Sequence, residues 1–224
     1  MKQYKIIVFL IVFIIITKIC FAQEISIRGG LNHSQYQNIV YGDVINAVGI
    51  KFNPGFVAGP VFELPVTNVF SFESGILLTS KGEKSSYDFP GSTVLNREKL
   101  YYAEIPVLCK VYVPVNKIKI FVLAGPYFAE ALHGKRKNVI IENSVEEILA
   151  QHDIFWGDGF AEYDRFDSGL KFGIGLRYQK WQMGANYCLG LKNFRNTGDM
   201  VETRNRTVEF NLSYALIKLK SNKK

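Results

Sequence analysis

The sequence predicts an all-β protein, an eight-stranded antiparallel up-and-down transmembrane β-barrel. Three observations lead to this fold class: apolar and polar residues alternate with a period of two, long and short connections follow each other in turn, and the charges on the polar strand faces balance. The alternation is clearest over residues 167–191, where two runs flank the polar pair Gln179 and Lys180. Such a pattern is typical of an antiparallel hairpin.

The two faces of this hairpin differ in the way a membrane barrel requires. One face carries large apolar side chains, including Ile174 and Trp181, whereas the other is mostly glycine with Lys171 and Arg177. Apolar groups outside and polar groups in a narrow interior characterise strands that face lipid. Aromatic residues that suit girdles at the two membrane interfaces are Tyr101, Tyr127, Tyr178, Trp181 and Tyr214.

Residues 1–22 are predicted to be a secretory signal peptide, and residues 23–224 the barrel domain. Two lysines precede an unbroken apolar run over residues 6–16, which is too short to cross a bilayer as a helix. Small residues at positions 20 and 22 suit cleavage before Gln23. An uncleaved N-terminal anchor is the alternative.

The first four strands each alternate apolar residues with polar or small ones. They are predicted over residues 24–32, 53–64, 69–80 and 99–112. Their apolar faces include Ile27, Phe56, Phe72 and Val107. No apolar stretch after residue 22 is long enough for a membrane helix, so strands that cross a membrane must close into a barrel to satisfy their backbone groups.

The remaining strands complete the set of eight. The fifth, 118–132, is apolar on both faces, so its inward and outward sides cannot be assigned. The hairpin 167–191 supplies two more, and 205–217 the last. Tight turns on the periplasmic side with long loops outside would produce the alternating connections. In the longest, 133–166, Ser144 followed by Glu147 forms a capping box, which predicts a short helix through about residue 151.

Eight charged residues fall on the inward faces, four of each sign. Eight strands enclose a space that side chains just fill, and an unpaired buried charge is costly. We therefore expect an ion-pair network that fills the lumen, with a narrow polar pore as the alternative. Its members are Arg28, Glu63, Glu73, Glu104, Lys110, Lys171, Arg177 and Glu209.

The sequence offers no convincing catalytic, metal or cofactor site, and we expect the protein not to be an enzyme. His33 and Ser34 are adjacent and would point apart on a strand, without a third orienting group. Acidic residues in the connection 133–166 fit no calcium-loop spacing. The formal net charge of +7 comes with no basic face interleaved with aromatics, so nucleic acid is not an expected partner. Cys109 is predicted outward and Cys188 inward, too far apart for a disulfide.

Several segments resemble the small outer-membrane β-barrel proteins with a PorT-like domain. They are residues 28–32, 73–82, 102–110, 124–127 and 166–170, with Gly173 and Gly175. The resemblance implies a location in the outer membrane of a Gram-negative-type cell and brings no agreed catalytic residues. The founding member is implicated in protein secretion, a role that fold likeness does not transfer. Such barrels often end in an aromatic residue, whereas this chain ends in a lysine-rich tail, so its insertion signal would be internal or tolerant.

The expected function is that of an integral outer-membrane protein without enzymatic activity. Its long outer loops, chiefly 133–166, would serve surface contact or an envelope-assembly and secretion-associated role. Expected partners are outer-membrane lipid, the barrel-insertion machinery and other envelope proteins. A narrow channel or small-ligand transporter is the main alternative, and a lipid-modifying barrel enzyme and a soluble periplasmic barrel are others.

Overall fold

The computed structural model describes residues 24–40, 43–45, 53–142, 145–157, 159, 162–195 and 201–218, so the predicted signal peptide lies outside the described residues. The described chain is almost entirely antiparallel β-structure. Its strands are β1 (Glu24–Val40), β2 (Asp43–Ile45), β3 (Pro54–Pro65), β4 (Phe70–Gly75), β5 (Leu77–Phe89), β6 (Ser92–Val115), β7 (Ile118–Glu142), β8 (Val145–Asp153), β9 (Phe166–Tyr178), β10 (Trp181–Gly190) and β11 (Val201–Lys218). It contains no helix that is both long and apolar enough to cross a membrane.

The sheet closes on itself. Strand β1 pairs with β11 along one edge and with β3 along the other, both antiparallel. From β3 the pairing continues through β4 and β5 to β6, β7, β9, β10 and back to β11. Strands β4 and β5 form one barrel strand interrupted at Ile76, so eight antiparallel barrel strands complete the cycle. The eight-stranded barrel predicted from the sequence is therefore confirmed.

One end of the barrel, which we call the turn end, has short connections at residues 66–69, 116–117 and 179–180. Asn116 and Gln179 both adopt a φ of 53° there, as tight two-residue hairpin turns require. Strand β1 begins and β11 ends at the turn end. At the opposite end, the extended end, the strands run well past the barrel, and β2 and β8 add to them.

Several predicted loops at the extended end are strands. The predicted loop 81–98 is instead the continuation of β5 and β6 around a turn at Pro90 and Gly91. Strand β1 continues to Val40, and β7 to Glu142. The predicted helix near residue 147 is wrong, because β8 pairs antiparallel with β7. These segments mix polar and apolar residues, with Leu95 and Val139 buried and Ile148 and Leu149 exposed, so they show no regular hydrophobic alternation, yet pairing satisfies their backbone groups.

We call the projecting part of the sheet the ledge. It consists of residues 82–89 of β5, 92–99 of β6, 134–142 of β7 and all of β8, paired in that order.

The predicted faces are confirmed, and the structure settles the fifth strand, β7. Phe121 and Leu123 point inward and are buried, whereas Val122 is exposed on the outside. Tyr127, predicted for an interfacial girdle, is instead completely buried inside the barrel. Exposed apolar side chains circle the outside between the two ends, as on a lipid-facing surface. They include Ile27, Phe72, Val107, Phe172, Ile174, Met183 and Phe210.

Candidate functional site

All eight charges predicted to face the lumen lie inside the barrel, and each is at most 8% exposed. They gather in two groups along the barrel, and each group includes residues that were not predicted. The turn-end cluster contains Glu24, Arg28, Glu63, Glu73, Lys110, Tyr112, Arg177 and Gln182. The middle cluster contains Lys81, Glu104, Asp167, Lys171, Asn186 and Glu209.

Lys110 occupies the centre of the turn-end cluster. Its ammonium group donates to the Glu73 carboxylate and to Gln182 Oε1, the latter at 2.9 Å, and lies 3.4 Å from Glu63 Oε2. Arg28 shares Glu73 with Lys110, because Arg28 Nη2 donates to Glu73 Oε1 at 2.9 Å. Since two cations share one carboxylate, the cluster depends on further acids to balance its charge.

Those acids are Glu24 and Glu63. The Arg177 guanidinium contacts both carboxylates, at 3.5 Å for Glu63 Oε1. The hydroxyl group of Tyr112 donates to the Glu63 carboxylate at 2.9 Å. Strands on opposite sides of the interior are joined in this way, and the contacts fill the lumen near the turn end.

The middle cluster interleaves two lysines with three acids. Lys171 Nζ donates to Glu104 Oε1 at 2.5 Å and to Glu209 Oε2 at 3.2 Å. Lys81 Nζ lies 3.1 Å from both Glu104 Oε2 and Asp167 Oδ2. Each lysine thus bridges two carboxylates, which offsets the cost of burying these ions.

Aromatic rings on β7 complete the packing around the lysines. Lys110 Nζ lies 4.4 Å from the ring centroid of Phe121, and Lys81 Nζ lies 4.2 Å from that of Tyr127. At these distances an ammonium group is attracted to the ring face. These rings make the inner face of β7 apolar. Because its outer face is apolar as well, the alternation of residues in the sequence does not identify the inward side of β7.

Three charged members of the clusters were missed, and strand parity would have found them. Lys81 follows Thr79 on the inward side of β5, Asp167 precedes Lys171 on β9 by four residues, and Glu24 precedes Arg28 by four on β1. Lys81 falls in a predicted loop because the predicted strand ends at residue 80, whereas β5 continues to Phe89.

An aromatic lid, formed by Tyr36, Ile154, Tyr163 and Phe194, lies over the middle cluster at the extended end, and all four side chains are buried. The Phe194 ring centroid is 5.0 Å from that of Tyr36 and 5.8 Å from that of Tyr163. The segment that carries Tyr163 is held down by backbone bonds, including Asp164 N to Phe194 O at 2.8 Å. The lid therefore closes the entrance to the lumen at this end.

A charged triad fixes the lid to the ledge. Arg136 donates to Glu98 Oε1 at 2.7 Å and to the Tyr163 hydroxyl at 2.6 Å, and that hydroxyl donates to Glu98 Oε2 at 2.8 Å. Burial, and then the nearby Glu98 carboxylate, raise the pKa of Tyr163. The phenol therefore stays protonated and acts as a donor at neutral pH.

A family model described as "Outer membrane protein beta-barrel domain" matches residues 21–196. The chain belongs to this family. The matched residues include most of the closed barrel, and the family is one of outer-membrane proteins. The protein is therefore located in the outer membrane of a Gram-negative-type cell. The sequence matches no curated protein.

Solved structures similar to this outer-membrane barrel protein share little sequence with it. Ail, the attachment invasion locus protein of Yersinia pestis, is 14% identical, with 87% of this chain and 99% of that chain covered and a TM-score of 0.39. Neisserial surface protein A is 12% identical, with 85% and 96% covered and a TM-score of 0.40. OprG of Pseudomonas aeruginosa is 10% identical, with 88% and 97% covered and a TM-score of 0.41. Likeness at this level carries no functional argument.

The residues considered for catalysis, metal binding or a disulfide do not form such a site in the part of the chain that the structure describes. Ser34 Oγ donates to Gly82 O, whereas His33 Nδ1 accepts from Asn53 N. Within the described ranges, no three His, Cys, Asp or Glu side chains are grouped to hold a metal ion. Asp167, on β9, belongs to the middle cluster through its ion pair with Lys81. Cys109 is exposed and Cys188 buried, and neither is in a disulfide.

Proposed function

We propose that this outer-membrane barrel is a non-enzymatic protein with a sealed lumen, and that its extended end makes contacts at the cell surface. The observation that carries the proposal is the filled interior: two buried ion-pair clusters and the aromatic lid occupy the lumen in series. The buried charges contact one another, and a barrel of eight strands leaves room for little else. The parts of the chain available to partners are therefore its two ends and its lipid-facing surface.

The extended end is the better contact surface. Strand β8 pairs only with β7 within the described part of the chain, and Val145, Ile148 and Leu149 on it are exposed. Phe155 next to it is 74% exposed. An unpaired strand edge beside exposed apolar groups is a common recognition surface. At the turn end, the connections are short, and there β1 begins and β11 ends. This arrangement favours an orientation in which the ledge faces outside.

Planar-bilayer recording tests the sealed lumen. The purified barrel is expected to insert without producing stable single-channel steps. A reproducible conductance from the folded protein would contradict the seal and favour the second candidate, a narrow channel. The specific feature that favours the channel is the polar lining, which runs from Glu24 in one cluster to Asp167 in the other.

Cysteine labelling on intact cells tests the orientation. In a Cys109→Ser background, Ile148→Cys on the ledge should react with a membrane-impermeant maleimide, whereas Asn116→Cys at the turn end should react only after the envelope is permeabilised. The reverse pattern would overturn the orientation without affecting the seal.

In a secretion-associated variant of this role, the ledge contacts other envelope proteins. A deletion strain complemented with the full chain is compared with one complemented by a chain that lacks residues 145–153. Retention of secreted proteins in the second strain alone, at equal barrel levels in the membrane, would support this role. Normal secretion in the deletion strain itself would exclude it.

A further inference from the structure

We propose that a row of cations on the lipid-facing side of the ledge binds the phosphate groups of glycolipids in the outer leaflet. This inference rests on the proposed orientation of the extended end. The row, which we call the basic row, consists of Lys84, Arg97, Lys99, Lys135 and Lys137.

Strand register brings these five residues together. Arg97 on β6 pairs with Lys84 on β5 and with Lys137 on β7, and Lys99 pairs with Lys135. Residues directly opposite each other on paired strands project from the same face, and so do residues two apart on one strand. The five side chains therefore form two adjoining lines on one face of the ledge.

That face is continuous with the lipid-facing surface. On β6, Lys99 and Arg97 continue the outward series of Val107 and Tyr101, while the inward series runs through buried Leu100 and Tyr102. Lys99 precedes Tyr101 by two residues and lies about 7 Å farther toward the extended end. The apolar belt thus ends where the basic row begins, which is the height of lipid headgroups around a barrel.

The cations are mostly free to bind an external anion. Arg97 is paired with Glu146 at 3.1 Å across two partly exposed side chains. Within the described ranges, the four lysines have no carboxylate within the 4.0 Å ion-pair distance. Like charges at opposed positions of a sheet repel each other, so an anion between them would be stabilising.

Apart from Glu146, which contacts Arg97, the acidic residues on the same face lie at its margins. Asp153 is opposite Lys135 in register, but its carboxylate is directed to His133 at 3.9 Å. Glu130 lies below the row, opposite Ala103. Asp88, toward the tip of β5, accepts a hydrogen bond from Thr93. Within the described ranges, Lys84, Lys99, Lys135 and Lys137 have no carboxylate at ion-pair distance, which favours an anionic ligand over a zwitterionic one.

Phosphorylated glycolipid is the ligand that fits this position. A soluble polyanion could meet the same cations, but it would not explain why the row lies at the edge of the apolar belt. Lipid with phosphates at the headgroup level would place acyl chains against the belt and phosphates beside Lys99 and Lys135.

The test uses the full folded barrel in mixed detergent micelles, titrated with bisphosphorylated lipid A, with the bound lipid measured at each concentration. Lys99→Gln with Lys135→Gln removes two cations of the row. Lys117→Gln with Lys180→Gln, in exposed turns of the opposite end, removes the same charge and is the matched control. Heat-modifiable gel mobility verifies that all variants are folded.

We expect the Lys99 and Lys135 double variant to bind about 30-fold more weakly, since each cation near an anionic surface contributes about fivefold. The control should bind as the parent does, and dephosphorylated lipid A should bind the parent no better than it binds the double variant. Equal affinity in all three proteins would overturn the proposal. The proposal would also be overturned if the parent bound dextran sulfate but not lipid A, and if the Lys99 and Lys135 double variant lost that binding of dextran sulfate. Micelles have no sidedness, so these results do not depend on the orientation that maleimide labelling tests.

Discussion

The guanidinium group of Arg28 lies 2.9 Å from the carboxylate of Glu73, and both side chains are at most 3% exposed. Lys110 contacts the same carboxylate. Glu73 therefore balances two buried cations on different strands, and the stability of the turn-end cluster depends on it.

Glu73→Gln should destabilise the barrel by about 3–5 kcal/mol, because removing one partner leaves buried charge uncompensated. The measurement is the free energy of unfolding from urea titration in lipid bilayers. Glu146→Gln is the matched control: it breaks the exposed pair with Arg97 and should cost no more than about 1 kcal/mol. Similar costs for the two variants would show that the turn-end cluster contributes little.

Ile174→Arg tests which face of β9 meets lipid. Ile174 is 56% exposed at the middle of a barrel strand, whereas Ile148 on β8 is 55% exposed on the ledge. Arginine at the bilayer midplane should cost about 2–4 kcal/mol, measured as reduced stability in the same bilayers. Ile148→Arg changes an equally exposed isoleucine outside the apolar belt, and we expect it to cost much less. A neutral Ile174→Arg variant would be incompatible with the assigned faces.

Glu83 gives the extended end a pH dependence. Burial raises the pKa of Glu83 from its usual 4.5; the Glu98 carboxylate also raises it, while the Tyr36 amide and Arg195 act in the opposite direction. Because the pKa of Glu83 is higher in the folded state, the protonated carboxyl group contributes to the free energy of unfolding. This contribution is fully present below pH 4.5 and is lost as pH rises through the folded pKa. Glu83→Gln keeps an acceptor for the Tyr36 amide and should therefore be more stable than the parent at pH 7.

The measurement is the difference in unfolding midpoint between parent and variant across pH 4–8. The difference should shrink as pH falls below 4.5. Exposed Glu147 on β8 provides the control substitution, Glu147→Gln. A difference for Glu83→Gln that stays constant with pH would argue that the carboxylate is not responsible.

The aromatic lid should protect Cys188, which is buried in the same core cluster as the lid residue Phe194 and Tyr127. In a Cys109→Ser background, the parent should resist maleimide, whereas Tyr163→Ala with Phe194→Ala should admit it and allow stoichiometric labelling. Phe155→Ala, which removes an exposed ring beside the lid, is the control and should leave Cys188 protected. The lid variant should still conduct no ions, because both ion-pair clusters lie beneath it.

How far the sequence predicts this structure depends on what surrounds each strand. Arg28 and Lys171 belong to strands with lipid on one side and a polar lumen on the other, so alternation reveals their direction. Tyr127 belongs to a strand whose inner face packs aromatic rings against lysines, and the contrast between faces disappears. On the ledge, water on the exposed side of the sheet removes the contrast again, which is why residues 81–98 were predicted as a loop.

The local capping signal at Ser144 and Glu147 shows a different limit. It predicted a helix, but backbone pairing of β8 with β7 determines the outcome. The sequence does not predict the lid either, because Tyr163 and Phe194 belong to connections that show no periodic alternation of apolar and polar residues. Their burial depends on where the barrel strands end, which is a property of the whole fold.

Closure of the cylinder between β1 and β11 has a consequence for biogenesis. Arg28 donates to Ser213 at 3.0 Å across 185 residues of chain, and Arg177 meets Glu24 across 153. Ser213 is on the last strand and Arg177 is on β9, so these contacts form only after most or all of the strands have arrived, and a half-made sheet would expose ionic groups to acyl chains. The unpaired edges of the incomplete sheet must therefore be kept hydrated or bound by a chaperone until the first and last strands pair. Because the interior is polar, we expect this pairing to be the step that commits the barrel to insertion.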